Sequence, residues 1–217
     1  KGGVGKTTLA SLIPRFYDAT AGTVLVDGLD VREYTFDALY NKLGYVTQKA
    51  VLFSGTVEDN VFFGQSAAEK TDASLQAALS LSQAAEFVDK YPEKAAHPIA
   101  QLGRNVSGGQ KQRLSIARAL ARTPEILIFD DSFSALDYKT DAVLREGLAK
   151  ELPGTTKIIV AQRISTIRNA DQILVLDRGE IAGLGTHDAL MASCTVYREI
   201  AMSQLSEEEL KKGGASK

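Results

Sequence analysis

The chain has little cysteine, little net charge and no long hydrophobic run. Its single cysteine, Cys194, rules out a disulfide within the chain and favours a reducing, cytosolic setting. The 25 basic and 27 acidic side chains leave a net charge of −2 at pH 7, which disfavours nucleic acid as a partner. No apolar run approaches the roughly 20 residues of a membrane helix. A role at a membrane would therefore need a partner or another part of the same polypeptide.

The patterns that are present fit one α/β domain. Short apolar runs alternate along the 217 residues with stretches of helical periodicity. The runs Ile126–Phe129 and Lys157–Ala161 do not alternate polar with apolar residues, which predicts buried parallel strands. Residues 67–91 carry Ala and Leu at helical spacing, which predicts a helical lobe inserted into the sheet domain. The segment Asp177-Arg178-Gly179 predicts the turn of a hairpin.

A glycine-rich loop opens the chain, with the sequence Lys1-Gly2-Gly3-Val4-Gly5-Lys6-Thr7-Thr8. Glycines allow successive backbone N–H groups to face a phosphate, and a lysine at the position of Lys6 neutralises phosphate oxygens. The hydroxyl of Thr7 is suited to bind Mg²⁺. A helix predicted over Thr7–Phe16 follows directly, so this pattern favours a phosphate-binding loop over a plain glycine turn with a surface lysine. Gly2 through Thr8 are the candidate nucleotide-binding residues.

This loop starts at the first residue of the chain. Lys1 is not an initiator methionine, and the first glycine of the pattern G-x-x-x-x-G-K-[ST] would precede it. The strand that leads into such a loop would precede it as well. We therefore expect a piece of a longer protein, cut within its own nucleotide site. Residues 206–217 are charged and then rich in Gly, Ser and Lys, so we expect a flexible tail there.

A second candidate anion-binding element is Ser107-Gly108-Gly109-Gln110, at the start of a helix predicted over Ser107–Arg122. Such a helix start presents backbone N–H groups, a hydroxyl and the positive end of the helix dipole to an anion. One nucleotide site rarely needs both elements from a single molecule. Between this element and the end of the chain, the apolar run Ile126–Phe129 is followed by Asp130-Asp131. A carboxylate at the carboxyl end of a strand lies where α/β folds bind ligands, so Asp130 is a candidate for holding Mg²⁺ through water.

This order of motifs resembles the ATP-binding cassette of ABC transporters, from Lys6 to about Gln204. The match is strong around Asn105–Leu120, and Ala50–Asn60 resembles exporter-type cassettes in particular. The resemblance implies a P-loop NTPase-type α/β fold over residues 1–217, with a parallel core sheet flanked by helices. It implies an inserted helical subdomain at about residues 66–122, which carries the signature motif. ATP and Mg²⁺ are the implied cofactors and ATP hydrolysis the implied activity.

The resemblance also implies partners and a location. A second cassette would sandwich ATP between the first loop of one chain and Ser107–Gln110 of the other. A transmembrane domain of an exporter would receive the motion at the cytoplasmic face of the cell membrane. In the family, the segment Ala50–Asn60 faces the loops of that domain. We expect an exposed Leu52–Phe53 pair there, and the alternative is a buried loop that packs within its own domain.

Two further residues gain roles from the resemblance. Gln48, after a predicted strand at Tyr45–Thr47, would contact Mg²⁺ and the attacking water. Asp137, in Ser134-Ala135-Leu136-Asp137, would cross the interface between cassettes, and it also fits the cap of a helix over Tyr138–Lys150. Both roles are compatible. His97 and His187 are interpreted as structural or surface residues.

The chain departs from the family at two catalytic positions. Asp131 stands where a Glu normally polarises the attacking water, and its side chain is one methylene, about 1 Å, shorter. Gln162 stands where a His contacts the γ-phosphate, and an amide cannot carry a proton's charge as His does. Together these departures resemble the non-consensus half of heterodimeric ABC exporters, whose own site is slow or silent.

Three other interpretations stay open from the sequence. A regulatory module would bind ATP without turning it over. A chromosome-partitioning type of P-loop ATPase is favoured by Lys1–Thr8 alone, and Ser107–Gln110 speaks against it. A soluble cassette in DNA repair or translation would need coiled-coil or basic insertions, and the sequence has none.

Overall fold

The computed structural model describes residues 5–65 and 70–204. The chain divides into two compact units, one of residues 11–159 and one of residues 1–10 with 160–217. The first part of the glycine-rich loop, Lys1–Val4, and the predicted tail at 206–217 lie outside the described residues. None of the described helices is long and apolar enough to cross a membrane.

The larger unit alternates short strands with helices. Its strands are β1 (Leu25–Val26), β2 (Leu29–Asp30), β3 (Leu43–Val46), β4 (Gly55–Thr56), β5 (Pro98–Ile99), β6 (Ile126–Asp130) and β7 (Thr156–Val160, whose last residue begins the other unit). Its helices are the end of α1 (Lys6–Leu12), then α2 (Phe36–Lys42), α3 (Val57–Val61), α4 (Asp72–Leu81), α5 (Ala85–Val88), α6 (Gly108–Ala121) and α7 (Tyr138–Glu151).

The central sheet has the strand order β3-β6-β7. Strands β3 and β6 run parallel, with Leu43 opposite Ile126 and Val46 opposite Phe129. A Cβ added at Gly44 of β3 would lie 2.8 Å from Leu127 Cδ2, so glycine permits a close approach there. This parallel pair confirms the predicted α/β class, and it brings the carboxyl ends of β3 and β6 to one edge of the sheet.

Helix α6 forms the centre of the larger core. Its apolar side chains face the core, with Leu114 and Ala117 both fully buried and Leu120 nearly so. The helix begins at Gly108 with Ser107 as its N-cap and ends at Ala121, as the sequence predicts. These side chains pack in one cluster with apolar residues of β6, α4 and α7.

Two predicted helices are shorter than expected. The helix predicted to reach Phe16 ends at Leu12, and Arg15 then has a φ of +58°. The helical stretch predicted at 67–91 is divided into α4 and α5, with Gln83 between them at a φ of +61°. A residue with left-handed backbone dihedrals cannot continue a right-handed helix. Each helix therefore ends before such a residue, although the apolar periodicity of the sequence runs on past it. The limits of the inserted subdomain stay a prediction.

Besides the first part of α1, the described residues of the smaller unit form a hairpin and three helices. They are β8 (Ile173–Asp177), β9 (Glu180–Gly185), α8 (Ile164–Ile167), α9 (His187–Ser193) and α10 (Thr195–Gln204). The hairpin turns at Arg178 and Gly179, with φ values of +51° and +85°, as a tight turn between twisted strands requires. His187 is buried, and its Nδ1 lies 2.8 Å from the Tyr197 hydroxyl, which fits the structural role predicted for it.

Candidate functional site

The described part of the phosphate loop is Gly5–Thr8. Gly5 has a φ of +90°, a backbone conformation that residues other than glycine rarely adopt. Helix α1 begins at the next residue, Lys6. Thr7 and Thr8 are exposed in the first turn of this helix. The glycine-to-helix transition that the sequence predicts is therefore present, and the predicted residues Gly2, Gly3 and Val4 lie outside the described part of the chain.

Asp130 ends strand β6 and is buried, 5% exposed. The hydroxyl of Tyr45 on β3 donates a hydrogen bond of 3.2 Å to Asp130 Oδ2. Tyr45 lies opposite Ile128 in the register, and side chains two residues apart share a face of the sheet, so Tyr45 and Asp130 share one. Burial raises the pKa of the Tyr45 phenol, and the charge on Asp130 adds to the effect. The phenol is therefore protonated at neutral pH and acts as the donor.

Asp131 follows β6 directly and has a left-handed backbone, with a φ of +48°. Its carboxylate is held by Gln48, whose Nε2 donates a hydrogen bond of 3.0 Å to Asp131 Oδ2. Two residues proposed for one site from sequence are thus in contact. They meet because each follows one of two neighbouring parallel strands. The Ser134 hydroxyl donates to the Asp131 carbonyl oxygen at 2.7 Å and fixes the turn that follows.

Gln162 lies in the smaller unit, just after β7. One side chain from the end of α10 forms hydrogen bonds with two main-chain groups of this segment. Gln204 Nε2 donates to the Gln162 carbonyl oxygen at 2.8 Å, and Gln204 Oε1 accepts from the Ile164 N–H at 2.9 Å. No motif in the sequence marks Gln204, which lies 42 residues from its partner Gln162.

The element Ser107–Gln110 closes on itself as a capping box. Ser107 Oγ accepts from the Gln110 N–H at 3.2 Å, and Gln110 Oε1 accepts from the Ser107 N–H at 2.9 Å. Gly108 is exposed, and a Cβ added to it would meet nothing within 4 Å. The helix start is therefore ordered, with open space beside its first glycine.

Asp137 caps helix α7, as one of its two predicted roles requires. Asp137 Oδ1 accepts from the Thr140 N–H at 2.9 Å and Oδ2 accepts from the Thr140 hydroxyl at 2.7 Å. These hydrogen bonds lower the pKa of the Asp137 carboxyl below its ordinary value. The role of Asp137 between two cassettes stays a prediction.

The expected exposed pair at Leu52–Phe53 is half wrong. Leu52 is fully buried because it packs in the core around α6, whereas Phe53 is 43% exposed. The Phe53 ring stacks on exposed Phe63, with 4.3 Å between the ring centroids. The Arg118 guanidinium lies 5.4 Å from the Phe53 ring and 5.6 Å from the Phe63 ring. The exposed aromatic surface is therefore Phe53 with Phe63.

Arg118 connects this aromatic surface to helix α6. Its Nε donates to the Asn60 carbonyl oxygen at 2.7 Å, and its Nη1 donates to the Val51 carbonyl oxygen at 3.0 Å. Asn60 in turn bonds both main-chain groups of Phe53, at 2.8 and 2.9 Å. The helix that begins at Ser107–Gln110 is thus tied to the loop that carries Phe53.

A cavity of about 410 Å³ opens on the larger unit. Aromatic rings, an arginine and a few polar groups line it: Pro14, Phe16, Asp37, Tyr40, Asn41, Leu43, Tyr45, Gly64 and Arg122. The Phe16 ring meets the Tyr45 ring edge to face, with 5.2 Å between the centroids. Tyr45 therefore belongs both to the wall of this cavity and to the surroundings of Asp130.

The donor set fits Mg²⁺ only together with a phosphate. Among the described residues no group of three or more His, Cys, Asp or Glu could hold a metal ion. Mg²⁺ in nucleotide sites is bound by one or two carboxylates, with phosphate oxygens and water completing its shell. Buried Asp130 and the amide oxygen of Gln48, both in the larger unit, are ligands of this kind.

Comparison with known proteins agrees with these features. The profile of the ABC transporter family matches residues 1–134. An uncharacterised ABC transporter ATP-binding protein of Mycobacterium bovis is 49% identical over 203 residues, which are 93% of this chain and 34% of the relative. An ATP-dependent lipid A-core flippase of Syntrophus aciditrophicus is 42% identical over 208 residues, 96% of this chain and 34% of the relative.

A solved structure extends the comparison to three dimensions. A bacterial Atm1-family ABC exporter with ATP bound matches 95% of this chain and 36% of its own, with a TM-score of 0.90 and 37% identity. The chain spans about a third of the length of these relatives. The P-loop NTPase-type fold is thereby confirmed. The chain belongs to the ABC transporter family and is an ATP-binding domain of the exporter type, a class of ATPases.

Proposed function

We propose that this chain binds MgATP and that its hydrolysis drives export through a transmembrane domain at the cytoplasmic face of the cell membrane. The observation that carries the proposal is the hydrogen bond between Gln48 and Asp131 at the ends of neighbouring strands. It joins the candidate general base to the residue that would orient it. Residues 1–217 form one nucleotide-binding domain in this proposal, with the helical subdomain at about 66–122.

The residues divide the chemistry among themselves. Lys6 and the loop from Gly2 to Thr8 bind the phosphates, and Asp130, Thr7 and Gln48 hold the metal ion. Mg²⁺, when bound, neutralises charge on the phosphate oxygens. Asp131 accepts a proton from the water that attacks the γ-phosphate in line, and Gln48 orients the Asp131 carboxylate.

The site formed by this chain's own loop is slow in this proposal. Asp131 is shorter than the Glu usual in the family, and its Oδ2 is already held by Gln48. A misplaced general base costs about 10²–10⁴ in rate, or roughly 3–5 kcal/mol in the barrier. Gln162 further removes the charge that a His would bring. The chain is therefore one half of a heterodimer, and its Ser107–Gln110 element, with Asp137, completes the active site of the partner cassette.

A transmembrane domain docks on the larger unit in this proposal. The exposed Phe53–Phe63 stack and the cavity beside Tyr40 each present aromatic rings next to an arginine, which suits a cytoplasmic loop of a membrane protein. Relatives about three times as long as this chain, among them an exporter and a flippase, support such an occupant. Arg118 would pass the docking force to α6.

The test is ATP turnover by the full-length protein, alone and with its partner cassette, compared with the Asp131→Glu/Gln162→His variant. Negligible turnover alone, turnover with the partner, and a gain from the double substitution support the proposal. Full turnover by the unmodified chain alone contradicts the slow-site assignment. The two departures also favour a second candidate, a regulatory half that binds ATP without turnover. Silencing the partner's site separates the two, because only a slow enzyme then keeps residual hydrolysis.

A further inference from the structure

Tyr45 lines the cavity and also donates a hydrogen bond to Asp130. Its ring faces the cavity beside Phe16, and its hydroxyl donates to Asp130 Oδ2 at 3.2 Å. The same hydroxyl is in hydrogen-bond contact with Ser11, near the end of α1. One side chain therefore touches the cavity, the candidate metal carboxylate and the helix that follows the phosphate loop.

The positions of these groups make the contact sensitive to small displacements. Ser11 and Asp130 are both buried, at 6% and 5% exposure, so neither exchanges its partner readily for bulk water. Tyr45 is half-buried and lines the cavity. A ligand that seats against Phe16 and the Tyr45 ring presses on a side chain whose far end holds Asp130. A shift of a few tenths of an ångström is enough to weaken a bond that is already 3.2 Å long.

We propose that Tyr45 is a positioning residue that couples occupancy of the cavity to the orientation of the Asp130 carboxylate. The proposal rests on the proposed function, because it takes Asp130 as a metal ligand and a cytoplasmic loop as the occupant of the cavity. The contact is separate from the hydrogen bond between Gln48 and Asp131. Partners that orient metal-binding carboxylates typically contribute about tenfold or more to metal affinity.

The test uses the full-length protein with its partner, loaded with ATP, and follows Mn²⁺ binding by electron paramagnetic resonance. Tyr45→Phe keeps the ring in the cavity and removes the hydroxyl. We expect Mn²⁺ affinity at this site to fall about tenfold, while ATP affinity measured in EDTA stays unchanged. Tyr34→Phe is the matched control, since its hydroxyl donates to the Val26 carbonyl oxygen at 2.9 Å and touches neither the cavity nor Asp130.

Asp130→Asn separates a failure of this proposal from a failure of the proposed function. If Asp130→Asn abolishes Mn²⁺ binding and Tyr45→Phe leaves it unchanged, Tyr45 has no positioning role and the metal site stands. If Asp130→Asn also leaves binding unchanged, the metal site and the role of Tyr45 both fall. An equal loss of Mn²⁺ affinity in Tyr34→Phe overturns the proposal too, because it marks a general structural effect.

A double-mutant cycle tests the link to the cavity. Phe16 is 52% exposed, so Phe16→Ala removes its contact with the Tyr45 ring at little risk to folding. If the cavity acts on Asp130 through Tyr45, Phe16→Ala lowers Mn²⁺ affinity in the wild type and has no further effect in Tyr45→Phe. Additive effects of the two substitutions, or no effect of Phe16→Ala, would overturn the coupling.

Discussion

Gln48 Nε2 donates a 3.0 Å hydrogen bond to Asp131 Oδ2, and the two residues follow neighbouring strands of the parallel sheet. The bond connects two residues 83 positions apart in the chain. The bond orients the carboxylate of Asp131, a residue whose backbone has a left-handed φ of +48°. Movement of the loop after β3 therefore has a direct route to the carboxylate after β6.

Removing this bond should slow hydrolysis. In the wild-type background, with Asp131 in place, we expect Gln48→Ala to lower the residual kcat for ATP about 10–100-fold, because the proposed general base loses its orienting donor. The measurement is steady-state ATPase of the full-length protein with the partner's site silenced. Gln76→Ala, at an exposed glutamine on α4, should leave kcat unchanged. Equal rates in Gln48→Ala and the background would show that the bond has no catalytic part.

Arg118→Lys should destabilise the larger unit by about 2 kcal/mol, since lysine cannot reproduce the fork of donors to Asn60 and Val51. Burial lowers the pKa of the Arg118 guanidinium, because removal from water disfavours its charged form. Urea denaturation of the full-length protein measures the change. Arg178→Lys, in the exposed hairpin turn, is the matched control and should have the wild-type midpoint. An unchanged midpoint in Arg118→Lys would contradict the prediction.

The smaller unit should lose stability in mild acid through His187. Burial, with a smaller effect of the Arg168 charge, lowers the pKa of His187, while Asp188 opposes the shift and the neutral Tyr197 hydroxyl faces its Nδ1. The unfolded chain therefore binds more protons than the folded one below about pH 6.5, and stability falls as the pH drops through that value.

His187→Gln should remove this acid-dependent part of the free energy of unfolding. Denaturant titrations at a series of pH values between about 5 and 8 measure the dependence. His97→Gln is the control, because His97 pairs with Glu93 at the surface of the larger unit. A wild-type pH profile in His187→Gln would show that another group carries the dependence.

Gln204→Ala should loosen the segment after β7. The Ile164 N–H donates to Gln204 Oε1 at 2.9 Å, so its hydrogen exchange should accelerate about tenfold when that acceptor is removed. Amide exchange measured by mass spectrometry or NMR reports the change. Ser203→Ala, at the neighbouring position, removes a bond within α10 and should leave Ile164 protected. Unchanged hydrogen exchange at Ile164 in Gln204→Ala would show that the Gln204 side chain does not hold this segment.

Local pattern was enough to predict the elements whose signals are contained in one segment. Helix α6, strand β6 and the hairpin turn at Arg178-Gly179 all follow from periodicity, capping residues and turn chemistry. The meeting of Gln48 with Asp131 was also within reach, because parallel strands bring their carboxyl ends together. The family resemblance, which rests on the order of the motifs, supplied the expected roles of these residues.

Contacts between distant segments were out of reach. Nothing in the sequence tells a buried Leu52 from an exposed Phe53 beside it, since both are apolar and the core around α6 decides between them. The sequence predicts Tyr45 only as a strand residue. The register of β3 on β6 is what brings its hydroxyl to Asp130. Gln83 breaks a helix that its composition supports.

The capping box at Ser107–Gln110 has a consequence for assembly. Because the Ser107 and Gln110 side chains each bond the other's main chain, the start of α6 has its final shape in the single chain. Binding of a partner cassette with ATP would then cost this surface little conformational entropy. Preorganised surfaces bind more tightly for the same contact area. In the proposed pair of cassettes, part of the affinity for nucleotide would therefore come from a surface that each chain has already ordered.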